Sequence, residues 1–231
     1  MIQQKLQKLA SKKTAERSAY FFKTEKGQYG HGDVFIGVKS PDLRALAKNS
    51  LTESVSSIRK LVQSKIHEER MLGLMILVYQ YKKTKDDAEK NRIYKLYVSV
   101  FKNINNWDLV DCSCPHIVGP HLLSSDRSEL YEWARSDHLW TKRIAIVSNW
   151  WFIRQGDLRD VFKISRILLT DEHDLIHKAV GWMLREAGKK DVKKLEAFIK
   201  VNYHQMPRTM LRYAIEKFPE TKRKRFLKGT F

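Results

Sequence analysis

The 231-residue sequence contains only two cysteines, Cys112 and Cys114. A single residue separates them, so a disulfide between them is geometrically poor, and there is no third cysteine to pair with either. No apolar run approaches the ~18 residues of a membrane-spanning helix. The opening M-I-Q-Q-K-L-Q-K-L-A lacks the apolar stretch of a signal peptide. These absences predict a soluble cytoplasmic protein in a reducing compartment.

Acidic residues are scarce relative to basic ones. The chain has 26 Asp and Glu against 44 Lys and Arg, which gives a formal net charge of +18. The excess is spread along the whole sequence, and a surface this basic usually binds a polyanion, most commonly nucleic acid. The alternative is a protein that is basic only for solubility.

Strand patterns are also rare, whereas apolar segments with helical periodicity recur along the chain. Four of them begin with a cation and continue as a small and apolar run, starting at Arg70, Arg143, Lys178 and Arg208. Arg143 and Lys178 are 35 residues apart, Lys178 and Arg208 are 30 apart, and the 73 residues from Arg70 to Arg143 leave room for two steps. A stride of ~30–40 residues predicts an α-solenoid of helix pairs. We therefore expect one all-α domain over 1–231, curved, with these cations on a basic concave face.

Two motifs that suggest small ligands are weak. The C-S-C-P-H group contains Cys112, Cys114 and His116, with His121 beyond it, but it lacks the second ligand pair of a zinc site, so no metal is predicted. The glycine-rich segment 24–37 is not preceded by a strand or followed by G-K-[ST], which argues against a phosphate-binding loop. It is expected to be a flexible loop at the mouth of the concave face, with Tyr29 and His31 near a ligand.

The segment N-N-W-D-L-V-D-C-S-C-P, residues 105–115, contains an unusual carboxylate. Asp111 lies four residues after Trp107, so a helix places both on one face. Asp108 is explained as an acid in the first helical turn. A second carboxylate in an apolar segment is costly unless it has a partner or a function. Asp111 is therefore either a functional group or a structural ion-pair partner of a cation such as Arg143.

Three segments, N-W-D-L-V-D, W-T-K-R-I-A-I and K-A-V-G-W-M-L-R-E, resemble the AlkD-type DNA alkylation repair proteins. This is a family of HEAT-like-repeat DNA glycosylases. The resemblance spans nearly the whole chain and includes F-F-K-T-x-x-G-x-Y-G-x-G-D near the N-terminus. It implies an α-solenoid of HEAT-like helix pairs, double-stranded DNA with alkylated bases as partner, and no cofactor. A monomer is the default expectation.

The resemblance also implies residue roles. Asp111 would be the catalytic carboxylate, and Trp107 and Trp182 the aromatic walls beside the damaged nucleotide. The family places one N-terminal aromatic at the site. Phe21 is the best match, with Tyr20 and Phe22 as neighbouring alternatives. The resemblance implies that Arg143 holds a nearby phosphate. Independently of it, the predicted basic groove is expected to bind the DNA backbone through Arg143, Arg70, Lys178, Arg208 and Arg212.

The implied reaction is hydrolysis of the N-glycosidic bond of cationic N3- or N7-alkylated purines, a step of base excision repair. Such a base already carries positive charge and leaves without a general acid, so one carboxylate suffices where uncharged glycosides usually need two. The alternative is a non-catalytic HEAT-repeat protein that binds DNA or RNA structures. A pure binder has no use for Asp111, whose charge repels phosphates. A protein–protein adaptor is disfavoured by the net charge of +18.

Overall fold

The computed structural model describes all 231 residues, Met1–Phe231, which form helices joined by turns and by one longer loop, residues 22–39. Contacts between Cα atoms divide the chain into two compact units, Met1–Ile117 and Val118–Phe231. The prediction of an all-α protein is confirmed. None of the helices combines the length and the apolar character needed to cross a membrane. The single domain and the basic concave face stay predictions.

The first unit contains seven helices and a loop that connects the second and third of them. The helices are α1 (Ile2–Gln7), α2 (Lys12–Phe21), α3 (Ser40–Lys48), α4 (Val55–Val62), α5 (His67–Lys83), α6 (Asp87–Ser99) and α7 (Trp107–Asp111). A 3₁₀ turn, Phe101–Asn103, precedes α7. One isolated β-bridge joins Val34 in the loop to Ile66 at the start of α5.

Helix α5 is the centre of the first unit. It is buried continuously from His67 to Val78: residues 71–78 are apolar on all sides, whereas residues 67–70 are polar or charged. It packs against α3, α4 and α6. A Cβ atom at Gly73 would lie 2.7 Å from Val62 Cγ2, so the glycine lets α4 approach closely.

The second unit is built around α13. Helix α8 (Cys114–Leu122) begins in the first unit, and α9 (Ser128–Ala134), α10 (Leu139–Val147), α11 (Asn149–Arg154), α12 (Arg159–Ile167), α13 (Asp174–Lys190), α14 (Val192–Asn202), α15 (Arg208–Ala214) and α16 (Glu220–Lys228) follow. Helix α13 packs against α10, α11, α12, α14 and α15. Of the four segments that open with a cation, those from Arg70 and Lys178 lie within α5 and α13, that from Arg208 forms α15, and that from Arg143 runs from α10 into α11.

Gly181 permits the close packing of α13 on α15. A Cβ atom there would lie 2.5 Å from Tyr213 Cβ and 2.6 Å from the Met210 carbonyl oxygen. We expect Gly181→Ala to lower the free energy of unfolding by about 2 kcal/mol, because backbone must move. Gly188→Ala is the matched control, since its closest contact is the Leu195 Cδ2 methyl at 2.3 Å, which can rotate away. Chemical denaturation measures both, and equal losses would contradict the packing argument.

Apolar periodicity predicts one helix through about Phe22 and another near 107–119, and Ser40-Pro41 predicts an N-cap at Ser40; the structure differs at all three. Residues 1–22 form two helices, because Ser11 is extended and donates its N–H to the Ile36 carbonyl. The segment 107–119 is also interrupted, between α7 and α8. Pro115 has no N–H to donate to the Asp111 carbonyl four residues earlier, so the hydrogen-bond pattern of α7 is interrupted there. The N-cap of α3 is Lys39, not Ser40.

Candidate functional site

Helix α7 carries both Trp107 and Asp111. Asn106 caps it, with its side-chain oxygen accepting the Trp107 N–H at 2.8 Å. Leu109 and Val110 are fully buried and fix the helix against the core. Trp107 and Asp111 are half-buried and lie one turn apart. The helix thus presents an indole and a carboxylate side by side.

Three aromatic side chains of the N-terminal region contact Trp107. Phe21 meets it edge-on, with ring centroids 5.9 Å apart, and Phe22 is tilted against it at 5.3 Å. The Trp107 indole donates Nε1–H to the Tyr29 hydroxyl at 3.2 Å. Phe21 is 60% exposed. We name this group, Phe21, Phe22, Tyr29 and Trp107, the aromatic cluster.

The structure distinguishes the three N-terminal aromatic candidates. Phe21 and Phe22 both contact Trp107, and Phe22 also stacks on Phe35 at 5.2 Å. Tyr20 is 75% exposed, and the Lys23 ammonium lies over its ring. Phe21 is therefore the candidate that combines contact with Trp107 and a largely exposed ring.

A buried group of charged residues adjoins α7. His67, the first residue of α5, lies between two carboxylates: its Nδ1 is 3.0 Å from Asp33 Oδ2 and its Nε2 is 2.8 Å from Asp108 Oδ2. Arg70 binds the other oxygen of Asp33 at 2.5 Å. We name Asp33, His67, Arg70 and Asp108 the charge cluster. It joins the glycine-rich loop, α5 and the first turn of α7.

Two asparagines before α7 also donate hydrogen bonds to Asp33. Asn105 donates its amide to Asp33 Oδ1 at 3.0 Å, and Asn106 donates to Oδ2 at 3.4 Å. The Asp33 carboxylate thus receives hydrogen bonds from α5 and from the turn that leads into α7. Because its side chain is only 3% exposed, these bonds replace the water that it loses on folding.

Interactions within the charge cluster shift the pKa values of His67 and Asp33. Burial opposes the charged form of His67, but the hydrogen bonds to Asp108 and Asp33 outweigh it and raise the pKa of His67 to about 9. Burial likewise opposes ionisation of Asp33, yet His67 and Arg70 lower its pKa overall. At neutral pH, His67 is therefore an imidazolium and Asp33 a carboxylate.

The C-terminal end of the glycine-rich loop is anchored by hydrogen bonds to α5, whereas the expected flexibility of the loop stays a prediction. Glu68 accepts the backbone N–H groups of Ile36, Gly37 and Val38 at 3.1, 2.7 and 3.3 Å. Gly37 has φ +81°, and a Cβ atom there would lie 2.1 Å from the Ser11 carbonyl oxygen. The loop therefore packs against α2 and holds Asp33 and Tyr29 in place. His31 is exposed.

Arg70 differs from the expectation for a DNA-binding cation. It is 4% exposed, pairs with Asp33, and donates Nη1–H to the Ser64 carbonyl at 2.9 Å. A guanidinium in this position supports the interior of the unit and is poorly placed to bind a phosphate.

The cysteines beside Asp111 lack the properties of a catalytic thiolate. Burial and the nearby Asp108 raise the pKa of Cys112 to about 11, with a smaller contribution from Asp111, so its thiol stays neutral. Cys114 is buried, and neither cysteine is part of a disulfide. No group of three or more His, Cys, Asp or Glu side chains is arranged to hold a metal ion.

In the second unit, α13 carries two of the expected site residues. Lys178 and Trp182 lie one turn apart, and both are half-buried. Lys178 pairs with Asp174 at 2.7 Å. Arg143 on α10 is 5% exposed and donates Nη1–H to the Leu175 carbonyl, in the first turn of α13, at 2.6 Å. Arg143 is thus less exposed than a cation that contacts phosphate was expected to be.

Arg208 and Arg212 are exposed on α15. Arg208 donates to the Tyr203 hydroxyl at 3.3 Å and to the Leu227 carbonyl at 2.9 Å. Both guanidinium groups are accessible to solvent, which is compatible with the expected contacts to the DNA backbone.

Sequence reasoning missed the charge cluster. Asp108 is an acid in the first turn of α7, as the sequence predicts, but its carboxylate also binds His67. The available signal was His67 and Arg70 at i, i+3 spacing, which places both on one face of α5. Nothing in the sequence indicated that this face would meet Asp33 of the glycine-rich loop.

Comparisons with known proteins place the chain in a family. No curated protein sequence matches it. A solved structure described as "Predicted DNA alkylation repair enzyme from Enterococcus faecalis" resembles it with a TM-score of 0.71 and 19% identity, over 91% of this chain and 97% of the other. That likeness shows the fold alone. The profile of a family described as "DNA alkylation repair enzyme" matches residues 2–218. Because the match spans most of the chain, the protein belongs to this family of DNA alkylation repair enzymes.

Proposed function

We propose that this protein is a monofunctional DNA glycosylase that hydrolyses the N-glycosidic bond of cationic N3- and N7-alkylated purines in duplex DNA. The observation that carries the proposal is the pair on α7, a half-buried carboxylate, Asp111, one turn from a half-buried indole, Trp107, within an aromatic cluster. Family membership supplies the substrate class, damaged DNA.

The chemistry requires little beyond one carboxylate. Cleavage of the bond between C1′ and the base nitrogen leaves positive charge on the sugar, and the cationic base departs as a neutral molecule. An ionised Asp111 stabilises the oxocarbenium-like sugar and orients water for attack at C1′. The proton lost by that water passes to Asp111 or to solvent. No lysine nucleophile is needed, and the product is an abasic site.

The aromatic cluster supports the same charge distribution. Ring faces are electron-rich and attract cations, so Trp107 stabilises both the alkylated nucleotide and the developing sugar cation. Phe21, exposed beside it, contributes apolar surface to the damaged nucleotide. Trp182 and Arg143 are proposed to bind the lesion and a phosphate on the basis of the family resemblance alone.

Exposed cations of the second unit are proposed to bind the DNA backbone. We expect Arg212→Ala to weaken duplex binding regardless of sequence and to reduce the slope of log affinity against log salt by about one. Gln205→Ala, an exposed neutral change in the same unit, is the control. Affinity for unmodified duplex at several salt concentrations measures both, and an unchanged slope would remove Arg212 from the interface.

The experiment that tests the function is base release from duplex DNA treated with a methylating agent. We expect free N3-methyladenine or N7-methylguanine, intact abasic strands, and no release of neutral bases such as uracil or hypoxanthine from matched duplexes. Release of neutral bases would contradict the dependence on a cationic leaving group. Salt-sensitive binding of duplex without any release would instead support the non-catalytic nucleic-acid binder.

A further inference from the structure

The contacts of His67 define its protonation state geometrically. Both ring nitrogens face carboxylate oxygens, Asp33 Oδ2 at 3.0 Å and Asp108 Oδ2 at 2.8 Å. Ionised carboxylates only accept hydrogen bonds, so two such partners require a proton on each nitrogen. His67 therefore bridges the glycine-rich loop and α7 as an imidazolium, with its side chain only 3% exposed.

The formal charges of the charge cluster then balance. Asp33 and Asp108 carry two negative charges, and Arg70 and His67 carry two positive charges. Of the other acids on the first turn of α5, Glu68 is bound to backbone N–H groups of the loop and Glu69 accepts from Gln3 at 3.2 Å. Loss of the His67 proton would leave one buried negative charge and direct a ring lone pair at a carboxylate, which is strongly unfavourable.

Two routes connect His67 to the residues of the candidate site. In the first, Asp108 lies on α7 directly after Trp107 and three residues before Asp111. In the second, the His67 ring stacks on Phe35 at 4.4 Å, Phe35 stacks on Phe22 at 5.2 Å, and Phe22 contacts Trp107. A hydrogen bond and a column of rings thus link the same imidazolium to the indole.

We propose that the His67 imidazolium is a positioning residue. It fixes the orientation of α7 through Asp108 and of the Trp107 indole through Phe35 and Phe22, and thereby holds Asp111 in the geometry needed for attack on the sugar. The effect on catalysis rests on the proposed glycosylase function, whereas the effect on the Trp107 environment does not.

The first test uses the unmodified sequence labelled with 5-fluorotryptophan. Trp107→Phe assigns the Trp107 fluorine resonance, and ¹⁵N-labelled imidazole reports the protonation of His67. As pH rises from 6 to 10, we expect the Trp107 resonance to shift with the same midpoint as His67, while the other five tryptophans do not follow it. A Trp107 resonance that ignores the titration of His67 would overturn the proposal.

The second test compares His67→Gln and Asp108→Asn with His204→Gln, which removes an exposed imidazole in the second unit. Single-turnover release of methylated base is expected to slow at least about tenfold in the first two variants, because small misplacements of reacting groups are costly. Duplex affinity should change less than about twofold, and the double variant should be no slower than the slower single one. The control should match wild type.

Release at the wild-type rate by either His67→Gln or Asp108→Asn would overturn the proposal. Should His67→Gln fail to fold, the fluorine titration of the unmodified sequence still decides. If wild type releases no base at all, the glycosylase function fails, but the fluorine experiment tests the positioning of Trp107 independently.

Discussion

Asp111→Asn is expected to slow the release of cationic alkylpurines by about 100-fold or more, because the neutral amide no longer stabilises the developing sugar cation. The amide has the same size as the carboxylate, so the packing of α7 should persist. Binding to unmodified duplex should be unchanged or slightly tighter, since a negative charge that repels phosphate is removed. Single-turnover base release and duplex affinity, measured on the same preparation, separate the two effects.

The control for this substitution is Asp137→Asn, which neutralises an exposed carboxylate of the second unit. It should release base at the wild-type rate. The opposing explanation is that Asp111 serves only as a structural ion-pair partner. In that case Asp111→Asn would lower the melting temperature and leave the rate per folded molecule near wild type, which is the reverse of the expected pattern.

The contribution of Trp107 is separable from that of Asp111. The indole lies among Phe21, Phe22 and Tyr29, so its loss disturbs an entire cluster, whereas the change at Asp111 alters one charge. This difference is why the carboxylate, and not the indole, is the more informative position for testing the chemistry.

Local pattern was sufficient to predict the helices and the pair on α7. Spacing of four residues places Trp107 and Asp111 on one face of any helix, so that juxtaposition did not depend on the tertiary fold. Apolar periodicity likewise predicted α5, which is buried continuously from His67 to Val78, and α13, which buries one face. The break before α8 is also predictable from the sequence, since Pro115 has no N–H to donate to the Asp111 carbonyl of α7.

The charge cluster could not be predicted in the same way. Asp33 and Asp108 are 75 residues apart, and His67 stands between them in sequence as well as in space. Their meeting depends on how the glycine-rich loop packs on α2 and α5, which is fixed by Gly37 and by Glu68 and not by any periodic pattern. Arg70 illustrates the consequence, because a cation at the start of an apolar run is equally suited to a surface groove and to a buried partner.

The buried imidazolium predicts an alkaline loss of stability. The pKa of His67 is raised to about 9 in the folded protein, against about 6.5 when exposed in the unfolded chain. A raised pKa stabilises the fold fully below about pH 6.5, and this stabilisation is lost as pH rises through about 9. The linked free energy is of order 3 kcal/mol. Asp33, whose pKa is lowered, affects stability only in acid, and Cys112 titrates near pH 11.

We therefore expect the free energy of unfolding of the first unit to fall by about 3 kcal/mol between pH 6 and pH 10 in the wild type, beyond the change shared with His67→Gln. Denaturant titrations followed by the fluorine resonance of Trp107 measure it.

His204→Gln should retain the full wild-type pH dependence, since that imidazole is exposed. His67→Gln has no imidazole to titrate, so the pH-dependent stabilisation is absent from it. The curves of unfolding free energy against pH for wild type and His67→Gln must therefore converge as pH rises. Parallel curves for wild type and His67→Gln would show that the hydrogen bonds to Asp33 and Asp108 do not depend on the second proton, and the imidazolium would lose its role in holding α7.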